Sequence, residues 1–89
     1  MSVEILEAMQ QDDLVMSVAR ALSAANQAAT GQGTDIGSSL VTISEEGSPG
    51  GRVWRIHYGP RDYVGRRGGD LSVLVDESTA TVQRVIRGQ

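Results

Sequence analysis

Residues 2–29 contain neither glycine nor proline and are rich in Ala, Leu, Met, Glu and Gln. So long a run of good helix formers commits the first third of the chain to helix. Leu14, Val18, Leu22, Ala25 and Ala29 recur at three- and four-residue steps, which places them on one helical face. Ala21, Ala24 and Ala28 widen that face with small side chains suited to close approach against a sheet. At Asp12-Asp13 the helix either continues or divides into segments at 3–10 and 13–29. Acids near a helix N-terminus are favourable by about 0.3–1 kcal/mol. The run Thr30-Gly-Gln-Gly-Thr-Asp ends the helix.

After Gly37 the period changes to two. Ser38-Ser-Leu-Val-Thr-Ile-Ser-Glu alternates and is rich in β-branched residues, so it reads as a strand. Glu46-Gly-Ser-Pro-Gly-Gly is a turn. Arg52-Val-Trp-Arg-Ile-His-Tyr is a second strand with Trp54, Ile56 and Tyr58 on one face and Val53, Arg55 and His57 on the other. Tyr58-Gly-Pro breaks it, and a connection rich in Gly and Arg leads to Gly69. Asp70-Leu-Ser-Val-Leu-Val-Asp is a third strand with Leu71, Val73 and Val75 on one face. Asp76-Glu-Ser-Thr-Ala is a tight turn before a fourth strand, Thr81-Val-Gln-Arg-Val-Ile-Arg.

At 89 residues the prior is one domain with one modest core, burying roughly 60–70% of the unfolded surface. The expectation is a single α+β domain over 1–89, helical at 2–29 and sheet at 38–87. Strands joined by short links pair antiparallel, so the helix packs across one face of a four-stranded antiparallel sheet and leaves the other face open. The Trp54/Ile56/Tyr58 stripe is assigned to the core, because few other large apolar residues are present.

Composition removes several kinds of chemistry. There is no cysteine, hence no disulfide framework, thiolate zinc site or cysteine nucleophile. A single His57 excludes a site needing two imidazoles. All eight basic residues are arginine, so neither a P-loop nor an S-x-x-K pair can be built. Asp12-Asp13 and Glu45-Glu46 are adjacent in sequence, so their side chains diverge and do not share a cation. No metal and no cofactor is expected. The N-terminus lacks the basic and apolar regions of a signal peptide, and no apolar run approaches the ~20 residues that span a bilayer. A cytoplasmic location without membrane attachment is the expectation.

Charge is uneven. Residues 1–51 hold seven acids against Arg20, a net of −6, and residues 52–89 hold seven arginines against four acids, a net of +3. The overall −3 disfavours nucleic acid, whose phosphates supply most non-specific affinity. Histidine is the residue type most often used as a general base, but near His57 no motif supplies a nucleophile or an orienting carboxylate. An exposed strand histidine is the plainer account. Arg61-Asp-Tyr-Val-Gly-Arg-Arg places Arg61, Tyr63, Arg66 and Arg67 on one connection. Arginine and tyrosine are enriched at protein-interface hot spots. A solvated loop is the plainer account there.

The series Trp54-x-Ile56-x-Tyr58-Gly59-Pro60, a connection ending Gly68-Gly69, and Val73-x-Val75-Asp76-Glu77-x-Thr79-x-x-Val82 resembles the closing hairpin of cystatin-like α+β proteins. In particular it is similar to immunity proteins with a nuclear-transport-factor-2-like fold, and less closely to PepSY domains through the D-x-x-T-G-x-V ending. The resemblance covers roughly 38–87. Where those families place Gly in the last turn this chain has Ala80, which argues against a left-handed residue there. The resemblance implies a small non-enzymatic module that neutralises a partner protein, a toxin or other enzyme. Arg55, His57, Arg61, Tyr63, Arg66 and Arg67 are the expected partner-binding residues, on the open sheet face and the Arg-rich connection. The alternative is a small-ligand or catalytic domain with a shallow pocket near His57 and Tyr58. Self-association through an exposed edge strand, as a homodimer, is a further expectation.

Overall fold

A computed structural model describes residues 2–49, 51–60 and 70–88. One helix, α1 (Ser2–Gly31), is followed by a short 3-10 turn (Ile36–Ser38) and four strands: β1 (Ser39–Ser48), β2 (Gly51–Pro60), β3 (Leu71–Asp76) and β4 (Val82–Arg87). The strands form one antiparallel meander in the order β1-β2-β3-β4. The two-layer α+β arrangement is the one the sequence implies.

The helix does not divide at Asp12-Asp13; it runs unbroken through both. Nothing in those residues removes a backbone donor or forbids helical φ/ψ. Its end is a Schellman motif: Gly33 N–H donates to Thr30 O at 3.0 Å and Thr34 N–H to Ala29 O at 3.0 Å. The motif needs a left-handed residue at its turn, and Gly33 supplies it with φ of 85°.

The core lies between α1 and the sheet. Ala21, Ala25 and Ala29 are its helical side, against Trp54, Ile56, Tyr58, Leu71, Val73 and Val75, all buried. The aromatic stripe of β2 therefore faces the helix, as expected. Among the described residues every deeply buried helical side chain is alanine, which lets the helix backbone approach the sheet closely. Leu14 does not join that seam; it is 54% exposed, and Val15 and Met16 are exposed with it. Thirty helical residues span about 45 Å, and among the helical side chains described those packed on the sheet lie from Ser17 onward. The helix packs chiefly on β3, with further contact to β2 and β4.

Two cross-layer hydrogen bonds fix the helix on its floor. Trp54 Nε1–H donates to Ser17 Oγ at 2.9 Å, and Tyr58 Oη–H donates to Asn26 Oδ1 at 2.6 Å. Burial pushes the Tyr58 hydroxyl up to about 12, so it stays protonated and donating at neutral pH. From the other end, Arg87 on β4 donates through Nη2 to Gln32 O at 2.6 Å and through Nε to Gln32 Oε1 at 3.3 Å. That caps the carbonyl end of the helix with a cation.

Three strand details differ from expectation. β1 extends to Ser48 and β2 starts at Gly51, so pairing continues into the expected turn cluster. β2 also continues through Gly59 to Pro60, which pairs with Ser39. β3 starts at Leu71 opposite Tyr58, so no ladder bond is asked of the proline nitrogen. The last turn holds Ala80 at φ 57°, a left-handed residue without glycine. Asp76 enforces it: Asp76 Oδ1 accepts from Ser78 N–H at 2.9 Å, Ser78 Oγ–H at 2.7 Å and Thr79 N–H at 3.0 Å, while Ala80 N–H donates to Asp76 O at 2.8 Å.

Candidate functional site

Alternation along each strand sends one set of side chains toward α1 and the other to the opposite face, called uncovered below because no other described element lies over it. On that face the register aligns Ser44, Arg55, Leu74 and Arg84 in one row, and Thr42, His57, Ser72 and Ile86 in the next. Val53 and Ser72 are buried there although no helix covers them, whereas Leu40 is 49% exposed.

Arg55 and His57 both lie on this face, as expected, and each has an internal partner. Arg55 Nη1 lies 3.5 Å from Glu46 Oε2, and His57 Nε2 lies 3.1 Å from Asp70 Oδ2. Asp70 stands just before β3, so the fold supplies His57 with the orienting carboxylate absent from its sequence neighbourhood. The main chain of Asp70 is pinned as well, since its carbonyl accepts from Gly88 N–H at 2.8 Å. A Cβ on Gly88 would stand 3.0 Å from the Asp70 Cβ, so glycine permits that approach. Arg61, Tyr63, Arg66 and Arg67 lie outside the described residues.

His57 and Tyr58 do not share a pocket. Neighbouring strand residues point to opposite faces: Tyr58 is wholly buried against α1, and His57 stands half-buried on the uncovered side.

Arg84 was not among the residues the sequence singled out. A register shift between Leu74 and Val75 pairs Val82 with Val75 and Arg84 with Leu74, leaving Gln83 as the extra residue of a bulge. That bulge turns Arg84 to the uncovered face. Arg52 and Arg55 face Glu45 and Glu46, and Arg87 caps the helix. Of the arginines in the described part of the sheet half, Arg84 alone has no hydrogen bond or ion pair among the described residues. Exposed pairs such as those of Arg52 and Arg55 hold their partners by only ~0–1 kcal/mol, so these arginines can be recruited at small cost.

Two adjacent acids at the β3–β4 turn respond oppositely to their surroundings. Hydrogen bonds from the Ser78 hydroxyl first, then the Thr79 and Ser78 amides, hold Asp76 below the usual carboxylate range. Glu77 is raised, first by a hydrogen bond shared with Glu45, then by desolvation and the charge of Glu45, with Arg52 opposing. The buried Oε2 of Glu77 has no hydrogen-bond partner among the described residues.

Among the described residues no group of three or more His, Cys, Asp or Glu side chains is placed to hold a metal ion. No helix among them is long and apolar enough to cross a membrane. The fold and its uncovered face define a one-helix, four-stranded antiparallel α+β module. Comparisons with protein-family models, curated proteins and solved structures return no match to this chain.

Proposed function

We propose that this chain is a small non-enzymatic binding module that occupies a partner protein through the uncovered sheet face, in the manner of an immunity or inhibitor protein. The observation that carries this reading is the composition of the face. Arg84, without a partner among the described residues, and a weakly held Arg55 flank half-buried Leu74, next to half-buried Ile86, and Leu40 is exposed on the same face at the β1 edge. Apolar centres with arginine at the margin are the composition of interface hot spots. The partner surface that complements it offers carboxylates around an apolar patch. The Arg61–Arg67 connection, which joins β2 to β3, supplies three more cations in sequence.

The test is capture of partners from the native host, followed by native mass spectrometry of the complex. Wild type retains a protein partner, and Arg84→Glu or the pair Arg66→Ala with Arg67→Ala releases it while the unfolding temperature stays unchanged. Equal retention by the variants removes the reading.

The His57–Asp70 contact favours a second reading, a small-ligand or catalytic site on the same face. An aspartate that fixes one imidazole nitrogen leaves the other for a substrate proton. The neighbouring row places Thr42 and Ser72 on either side of His57. A bound metabolite in place of a protein, lost on His57→Ala, is the outcome that selects this reading.

A further inference from the structure

The free edge of β1 is built unlike an edge meant to stay alone. Natural edges are blunted by brevity, proline, lysine, bulges or inward charges. Residues 39–44, Ser-Leu-Val-Thr-Ile-Ser, have none of these, and β1 runs ten residues in unbroken register with β2.

The ladder shows which backbone groups are available. β1 and β2 are joined by two residues between the paired Ser48 and Gly51. In such a hairpin the closing pair is hydrogen-bonded, and bonded pairs alternate from there. Ser48, Glu46, Ser44, Thr42 and Leu40 therefore turn their N–H and C=O groups to β2. Val41, Ile43 and Glu45 turn theirs outward. The Glu77 N–H donated to Arg52 O at 3.1 Å fits this phase, since even-numbered β2 residues then face β3. On the helix side, Val41 and Ile43 are only partly buried, because α1 sits over β3.

We infer that β1 pairs antiparallel with β1 of a second copy about a two-fold axis at Thr42, joining two sheets into one of eight strands. This is independent of the open-face reading above, since it uses the strand edge. The register follows from side-chain complementarity. With Thr42 opposite Thr42 of the partner copy, each Val41 faces the other copy's Ile43 on the helix side. These are the outward-turned residues, so four backbone hydrogen bonds form across the axis. Leu40 faces Ser44, and Glu45 faces Ser39, so no acid meets an acid. Shifting the axis to Ile43 sets Glu45 against Val41 and Glu46 against Leu40. Shifting it to Val41 leaves Ile43 opposite Ser39. Only the Thr42 register satisfies apolar pairing and charge together.

Sedimentation and native mass spectrometry across a concentration series show a monomer–dimer equilibrium for the wild type. Thr42 is exposed, so Thr42→Lys leaves the fold intact by circular dichroism and shifts the chain to monomer by placing two cations face to face. Mixing Thr42→Lys with Thr42→Glu restores a heterodimer. Directly opposed residues of a non-bonded antiparallel pair have Cα atoms about 4.5 Å apart, within the disulfide range of about 4.4–6.8 Å. The chain has no cysteine, so Thr42→Cys crosslinks two copies on oxidation and Ser44→Cys does not. A wild type that is monomeric throughout overturns the proposal, as does undiminished dimer in Thr42→Lys, or crosslinking that favours Ser44→Cys.

Discussion

β4 and β1 both end the sheet, yet β4 is six residues long, carries a bulge at Gln83, bears Arg84 and Arg87 and is tied to the helix end through Gln32. β1 runs ten residues without a bulge, and its acids Glu45 and Glu46 come only at the hairpin end. The difference follows from where the helix lies. An alanine seam lets α1 settle closely over β3, and what it covers on that side reaches β4. β1 is held mainly by its ladder to β2 and by the short turn before it. Protection of an edge is thus distributed by the position of one helix, and the side farther from it keeps a regular, unblunted strand.

The largest expected effect separates the covered from the uncovered side at one cross-strand pair. Ile43 and Ile56 stand directly opposite, but Ile56 is wholly buried. Ile56→Ala costs about 2–5 kcal/mol, and Ile43→Ala, in proportion to its partial burial, roughly 1 kcal/mol. Urea denaturation of the two variants measures the contrast, and equal losses would erase it.

Next, Arg87→Ala removes the tether between β4 and the helix end and costs about 1 kcal/mol. Amide exchange then rises in 30–34 and in β4, with β1 unaffected; a uniform rise would mean that the tether does not distinguish the edges. Smaller still, and opposite in sign, Ala80→Gly relieves the left-handed residue at the entry to β4. Relief of roughly 1–2 kcal/mol, less the added freedom of the unfolded chain, leaves about 0.5–1 kcal/mol of stabilisation, read as a rise in Tm.

The last prediction concerns acid. Asp76 is lowered in the folded state, so its stabilisation is present above the ordinary aspartate range and is lost as pH falls through its depressed folded value. Glu77 is raised, so its contribution is present below the ordinary glutamate value and is lost as pH rises through its folded value. Asp76→Asn therefore flattens the acid limb of the stability profile, whereas Glu77→Gln stabilises the fold at neutral pH relative to acid. Unfolding curves collected from pH 2 to pH 7 check both signs.

The helix, the four strands and the inward Trp54/Ile56/Tyr58 stripe were legible because each rests on a local period. What escaped depends on partners distant in sequence. Leu14 fits the helical stripe but lies beyond the sheet that would cover it. Ala80 takes a left-handed conformation because Asp76 organises the turn around it, which outweighs the preference for glycine. Arg84 reaches the uncovered face through a bulge that alternation alone does not reveal. Asp70 meets His57 from thirteen residues along the chain, so no motif announces the pair. The cations of the β2–β3 connection are legible only as composition: Arg61, Arg66 and Arg67 lie outside the described residues.

The bonds that seat the helix reach far along the chain, from Ser17 to Trp54, Asn26 to Tyr58 and Gln32 to Arg87. During synthesis the helix leaves the ribosome first, and its floor arrives last. Most helical stability in proteins comes from packing of one face, and for α1 that packing waits until β3 and β4 emerge. The β1–β2 hairpin is available before either of them. The element made first is therefore the one seated last, since the strands that hold it are all made after it.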